Sequence, residues 1–310
     1  MNPRLEVVVG ARGGWFSRAD AAEAGYSAGE LRLRVRQGRW LRLSRDVYVD
    51  PSSWPASEAS WDRARRMHVL ATRAVVTRMG PDAVVSHQSA AVLHGLPTWG
   101  LDLSQVHVTR PAKRTRSDSR VLVHRSPIDT DEITEVDGIR ITTPARTVAE
   151  TTCTSSYDVG VVLADAAVHR RLVTPAELIA AADRHKHWPG VPRARAAALF
   201  ADGLSESVGE SRLRVLMADE GLPHPRLQVE IRDQDGRLIG RVDFLLFDEL
   251  IVEFDGVEKY GDNGQAVVAE KWREDRLRAR GYQMVRVSWR DLDHPRTTAD
   301  RIREQLPRAA

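Results

Sequence analysis

The sequence predicts a multidomain α/β protein: a helical head with a β-hairpin, a mixed α/β middle region, and an αβββαβ unit at the C-terminal end. Three observations carry this prediction. Capped helices followed by a hairpin occupy the first fifty residues. Short β-branched strands alternate with helical stretches from about 56 to 190. The last hundred residues order one helix, three strands, a helix and a strand, with carboxylates interrupting apolar strands. The expected division is 1–55, 56–190 and 200–310, with the last boundary in the Pro- and Gly-containing stretch HKHWPGVPRARAAALFADGL. A chain of 310 residues has room for two or three cores.

In the head, Ser17 stands three residues before Asp20, a helix start, and Gly25 should end that helix. Ser27 and Glu30 have capping-box spacing for a second helix, with Leu31 and Val35 on its inner face and Gly38 as its stop. RWLRLSRDVYV then reads as two strands around a turn. Helix, tight turn, helix and hairpin is the layout of a winged helix. Arg32, Arg34, Arg36, Arg39, Arg42 and Arg45 fall on the second helix and the hairpin with no acid between Arg32 and Arg45. That is where such a motif meets the major groove and its phosphates, so these six are the candidate DNA-binding residues. The competing reading is a solvated Arg-rich face on a protein-binding module.

The middle region opens on a long helix, WDRARRMHVLATRAVVTRM, followed by SHQSAAVLHGLP as a buried helix capped by Ser86. QVHVTR, VLVHRS and GIRITT are strand candidates, and Thr143-Pro144 opens another helix. His68, His87, His94, His107, His124 and His169 lie here without the spacing of a metal-binding pair on one helix, and read as structural histidines. The basic run RPAKRTRSDSR (110–120) is either a phosphate contact or a solvated loop.

In the last hundred residues, SESVGESRLRVLMADEG reads as a helix, RLQVEIRD and RLIGRVDFLLF as a hairpin, ELIVEFDG as a third strand, EKWREDRLRARG as a helix and YQMVRVSW as a fourth strand. Asp243 interrupts one apolar strand, and Glu253 and Asp255 the next. Alternation puts Glu253 and Asp255 on one face, and the short Asp248-Glu249 connection brings Asp243 toward Glu253. Glu210 on the preceding helix would close the cluster. Gathered carboxylates are costly without a cation, and an oxygen-only donor set suits Mg²⁺ or Mn²⁺. Asp243, Glu253 and Glu210 are therefore the candidate metal ligands. Lys259 and Lys271 are the two candidates for a lysine near the reacting phosphate. Against this stands a solvent-facing hairpin whose acids pair with Arg241, Arg276 or Arg286.

Two resemblances add to these readings. From Tyr26 to about Thr152, through FSRADAAEAGYSAGELRLRVRQGRWLRLSRDVYV, SHQSAAVLHGLP and GIRITTPARTVAETT, the chain resembles the AbiEi-type family, the antitoxin half of abortive-infection toxin–antitoxin pairs. That resemblance implies a DNA-binding winged helix and a toxin or antitoxin partner protein. Residues 205–306, through SESVGESRLR, GRVDFLLFDELIVEFDGVEKYG and EKWREDRLRARGYQMVRVSWRDL, resemble the PD-(D/E)XK nucleases and, within them, domains similar to the very-short-patch-repair endonuclease. This implies a restriction-endonuclease-like core and a Mg²⁺-dependent endonuclease, with Asp243 and Glu253 as metal carboxylates and Glu210 as the accessory acid. The third signature position is Asp255 rather than lysine, so a lysine role would move to Lys259 or Lys271. The alternative is an AbiEi-like regulator whose nuclease-like domain is inactive.

Hydrophobic residues are 42% and charged residues 29%, ordinary for a globular chain. The net charge is +3 with a pI of about 9.2. A single cysteine, Cys153, excludes a disulfide framework and a Cys-based zinc site within one chain. MNPRLEVVVGARGG lacks the apolar run of a secretory signal, and no stretch approaches 18 apolar residues, so a cytoplasmic setting away from membranes is expected. A homodimer would offer one active site to each DNA strand.

Overall fold

A computed structural model of the chain describes residues 1–44, 46–80, 82–111, 120–256 and 264–307. The chain divides into two compact units: Met1–Ser155 with His187–Pro189, and Ser156–Lys186 with Gly190–Ala310. Among the described residues no helix is long and apolar enough to cross a membrane.

The first unit begins with α1 (Pro3–Ala11), β1 (Phe16–Ser17), α2 (Arg18–Glu23), α3 (Ala28–Arg36), β2 (Leu41–Ser44) and β3 (Val47–Val49). The strands order β1-β3-β2, all antiparallel. This is the layout of a winged helix, with α3 as the second helix of the helix–turn–helix. Both capping boxes form: Ser17 with Asp20 and Ser27 with Glu30. Between the helices Gly25 takes φ +95°, a left-handed turn that a side chain would strain. Leu5, Phe16, Ala21, Leu31, Trp40 and Tyr48 form the core, with Phe16 edge-on to Trp40 at 4.8 Å. α1 lies within the first fourteen residues, where the sequence pattern carries no periodic signal. Asn2 caps it by accepting from Leu5 N at 3.0 Å, Pro3 opens it, and Leu5 is fully buried.

The same unit continues with α4 (Ser60–Met79), β4 (Val84–Val85), α5 (His87–Leu93), β5 (Val106–Arg110), β6 (Val121–Arg125), β7 (Ile133–Val136), β8 (Ile139–Thr142) and α6 (Pro144–Thr154). A five-stranded mixed sheet runs β6-β5-β4-β8-β7. Its core gathers Val75, Val85, Ala90, Val106, Val108, Ile139 and Ile141. Arg146 on α6 is 1% exposed and is satisfied inside the fold by Glu150 at 2.8 Å and by Glu132.

The second unit holds α7 (Tyr157–His169), α8 (Pro175–Arg184), α9 (Val191–Phe200), α10 (Val208–Asp219), β9 (Arg226–Arg232), β10 (Leu238–Leu246), β11 (Leu250–Asp255), α11 (Gly264–Ala279), β12 (Gln283–Ser288), α12 (Trp289–Leu292) and α13 (Pro295–Glu304). The sheet order is β12-β11-β10-β9. β9, β10 and β11 are antiparallel neighbours, and β11 pairs parallel with β12 after the α11 crossover. One face of the sheet carries Phe244, Leu246, Leu250 and Val252 against Leu213, Met217 and Ile302. The other carries Val242, Leu245 and Ile251 against Leu277 of α11.

The boundary differs from the expected one. α7, α8 and α9 belong with the C-terminal sheet, so the division falls at Ser155/Ser156 rather than between 190 and 200. Val161, Ala197 and Val215 share a core, and Arg214 of α10 reaches Asp165 of α7 at 2.9 Å with both side chains buried. The Pro and Gly around 189–192 mark the start of α9, with Gly190 as its left-handed cap, and not the end of a domain.

Candidate functional site

The sheet of the second unit carries polar side chains in a row across its four strands. The pairs Leu227↔Phe244 and Val229↔Val242 bracket Gln228 on β9 and Asp243 on β10. The β10–β11 register, Phe244↔Val252, extends to place Asp243 beside Glu253. Glu253 in turn pairs with Arg286 on β12. Gln228, Asp243, Glu253 and Arg286 thus stand side by side where the flanking positions are apolar.

Each member is engaged. Asp243 accepts a hydrogen bond from Phe254 N at 2.8 Å. Glu253 is 9% exposed, and Arg273 of α11 donates to both its oxygens at 2.9 Å. Arg273 also donates to Glu270, which in turn accepts from Arg286 at 2.6 Å. Burial pushes the Glu253 carboxyl up, Arg273 pulls it down, and the nearby Asp243 and Glu270 add to the rise. Glu210, in the first turn of α10, accepts from Ser207 Oγ at 2.7 Å, from Glu206 N at 3.0 Å and from Gln228 Nε2 at 2.9 Å. Glu210 is therefore linked to the row through Gln228.

Strand alternation places Asp255 on the face of Glu253, at the end of β11 opposite Ser288. Phe254 lies on the opposite face, edge-on to Trp289 at 4.9 Å. The first turn of α10 approaches it so closely that a Cβ on Gly209 would lie 2.0 Å from the ring. Lys271 is exposed on α11, and Arg273, two residues on, donates to Glu253, with Arg286 a second cation 3.9 Å from it. Lys259 lies outside the described residues.

The oxygen donors suit a hard cation in chemistry, and Asp243 and Glu253 are the adjacent pair. Yet among the described residues these acids do not bring three donor atoms within 4.8 Å of one another. The reason is visible: Arg273 holds Glu253, and the cap of α10 holds Glu210. Gln228, Arg273 and Glu270 are site residues that the sequence reading missed, whereas Arg286 is named there as a partner for the acids and does lie beside Glu253, at 3.9 Å. The signal for the missed residues is register, which needs the pairing of strands to be known.

A second surface lies on the winged helix. Arg32, Arg36 and Arg42 are exposed and, with Arg18, Leu31, Val35 and Tyr48, line a groove of about 290 Å³ along α3. Arg39 is exposed just beyond α3. Arg34 differs from its neighbours. Its guanidinium stacks 5.0 Å from the ring centres of both Tyr26 and Trp40, so it is half-buried against the aromatic core. Arg45, and residues 112–119 of the basic run, lie outside the described residues.

The chain is 30% identical over 233 residues, 74% of its length and 84% of the relative's, to Uncharacterized protein Rv2248 of Mycobacterium tuberculosis (strain ATCC 25618 / H37Rv). The match to Uncharacterized protein MT2308 of Mycobacterium tuberculosis (strain CDC 1551 / Oshkosh) has the same identity and extent. The chain belongs to the family of these two mycobacterial proteins. In this family member, residues 8–49 match the model described as Transcriptional regulator, AbiEi antitoxin. The match ends at β3 and contains α2, α3 and the arginine-lined groove, so the head is an AbiEi antitoxin/transcriptional-regulator domain. It starts before the stretch on which the AbiEi resemblance was read and covers only its first part.

Proposed function

We propose that this protein binds DNA through its N-terminal winged helix and hydrolyses phosphodiester bonds with its C-terminal unit, as a Mg²⁺- or Mn²⁺-dependent endonuclease. The supporting observation is the polar row Gln228–Asp243–Glu253–Arg286 set into an apolar sheet, with Glu210 attached through Gln228. The αβββαβ order around it is also that of the PD-(D/E)XK nucleases, which the sequence of this region resembles. Asp243 and Glu253 would hold the cation, with Glu210 as an outer carboxylate. A bound divalent ion supplies charge neutralisation at a phosphate and a more acidic bound water. The chain's own contribution is to keep the two carboxylates adjacent and to offer Arg286 and Arg273 as fixed positive charge near a phosphate. Exposed Arg32, Arg36 and Arg42 would grip the DNA backbone and fix register. The setting that fits is the cytoplasm, in a toxin–antitoxin, defence or repair context, with a second copy of the chain serving the other strand.

A second reading, a DNA-binding regulator or antitoxin with an inactive nuclease-like unit, is favoured by one observation: Arg273 holds both oxygens of Glu253, as an inbuilt cation would. Cleavage of supercoiled plasmid and labelled duplexes with Mg²⁺, Mn²⁺ or EDTA separates the two. The nuclease reading expects metal-dependent cuts that are lost in Asp243→Asn and Glu253→Gln while DNA binding persists. DNA binding by wild type without cleavage in either metal rejects it in favour of the regulator.

A further inference from the structure

Three histidines far apart in sequence converge in the first unit. His87 stands at the start of α5, His107 on β5 and His124 on β6, and one ring nitrogen from each lies within 4.8 Å of the others. Among the described residues this is the one group of three or more candidate ligands that meets this distance. His107 Nδ1 faces His124 Nε2 at 2.9 Å, and the His87 ring lies 3.6 Å from that of His124.

The surroundings resemble a supported ligand set. His87 Nδ1 meets Ser86 Oγ at 3.0 Å and lies 3.7 Å from Glu150 Oε2, which leaves its Nε2 for another partner. Glu150 is itself fixed by Arg146 at 2.8 Å. A carboxylate behind a ligating imidazole orients the ring and raises its basicity. The backbone of His107 is fixed by donation to Ser89 Oγ at 2.8 Å. His87 also holds φ +51°, a left-handed conformation that a side chain adopts at a cost and that the surrounding packing must enforce. Burial, reinforced by the mutual repulsion of the rings, lowers the basicity of His87 and His107, and burial lowers that of His124. A neutral imidazole is the form that donates a lone pair to a metal.

We propose that His87, His107 and His124 form a binding site for a divalent transition metal of the zinc class, with the fourth position open to water or an exogenous ligand. Three imidazoles favour Zn²⁺, Co²⁺ or Ni²⁺ over Mg²⁺, which prefers oxygen. His107 and His87 are buried and His124 is half-buried, so the site has an inner wall and a more open side. The ion would take the place of the hydrogen bond between His107 and His124, with the ring proton of each carried on the nitrogen that faces away from it. This site lies in the first unit and is independent of the carboxylate row in the second.

The test uses the full chain, stripped with EDTA and titrated with Zn²⁺ against a chromogenic chelator, with elemental analysis after gel filtration. The expected result is about one zinc per chain and a higher melting temperature with Zn²⁺ than with EDTA. His124→Asn and His107→Asn should weaken zinc by more than the roughly 10- to 100-fold that changes behind a ligand produce. Asp243→Asn/Glu253→Gln should keep the zinc, so the outcome does not depend on the nuclease reading. Folded wild type that takes up no zinc overturns the proposal, as does uptake unchanged in both histidine variants or lost with the acid row. If the histidine variants fail to fold, Co²⁺ added to wild type decides. Intense visible bands of four-coordinate cobalt support the site, and the weak bands of six-coordinate oxygen-bound cobalt overturn it.

Discussion

Arg32, Arg36 and Arg42 are exposed around one groove on the winged helix, whereas Arg34 is stacked between Tyr26 and Trp40. Replacing the first three together with alanine should therefore act on DNA, and replacing Arg34 should act on the fold. Each phosphate contact adds about 0.9 to the slope of log K against log salt, so the triple variant should lose about 2.7 from that slope. At 0.1 M salt this is a loss of about 500-fold in affinity, and between 50 and 200 mM wild type should weaken about 40-fold more than the variant. The triple variant should stay folded, since exposed substitutions fall within about 0.5 kcal/mol. Arg34→Ala should keep the slope and lose stability, because each cation–π contact contributes about 0.5–2 kcal/mol. Fluorescence anisotropy of a labelled duplex over a salt series, beside thermal melts by circular dichroism, measures both. A triple variant with the wild-type slope, or an Arg34→Ala slope reduced as far as the triple's, would refute the assignment of this face to the phosphates.

Arg273→Ala should leave Glu253 with only the more distant Arg286, 3.9 Å away, and cost up to about 3 kcal/mol in urea unfolding without metal. Mg²⁺ should raise the melting temperature of that variant more than that of wild type, and equal responses would count against Arg273 and the ion sharing one carboxylate. Gly209→Ala drives a methyl into the Phe254 ring at 2.0 Å, so the second unit should lose about 1–3 kcal/mol or more; an unchanged urea midpoint would show that the helix can step back. Burial pushes the Asp165 carboxyl up to about 6 against the pull of Arg214, above its ordinary value of 3.8. With the folded value above the unfolded one, its contribution to stability is complete below about 3.8 and is lost as pH rises through about 6. The stability of wild type relative to Asp165→Asn should thus decline between pH 4.5 and 7, and a constant or rising difference rejects the assignment.

Local signals were legible in the sequence. Ser17 with Asp20 and Ser27 with Glu30 announce two helices because capping is chemistry within four residues, and Gly25 and Gly38 close them. The hairpin β9–β10 and the alternation of Glu253 and Asp255 follow from a period of two. α1 was hidden because its valine run carries no helical amphipathic stripe, and its cap is a single Asn2. The arginine count overstated the DNA-facing set, since exposure separates Arg32 from Arg34 and composition does not. His87, His107 and His124 come from a helix and two strands, so spacing along any single helix does not reveal them. The same limit hid Arg273 and Gln228, which join the carboxylates only through strand register and a crossover helix.

The guanidinium of Arg273 on Glu253 bears on more than affinity. A protein that carries its own counter-ion can leave the ribosome, fold and persist without drawing on any supply of divalent ions, because its most buried carboxylate on the sheet is already balanced. Any ion that arrives later must displace a competitor that never diffuses away. If the proposed metal-dependent reading holds, binding an ion would require Arg273 to give up Glu253, so occupancy would be set by that exchange and not by the carboxylates alone.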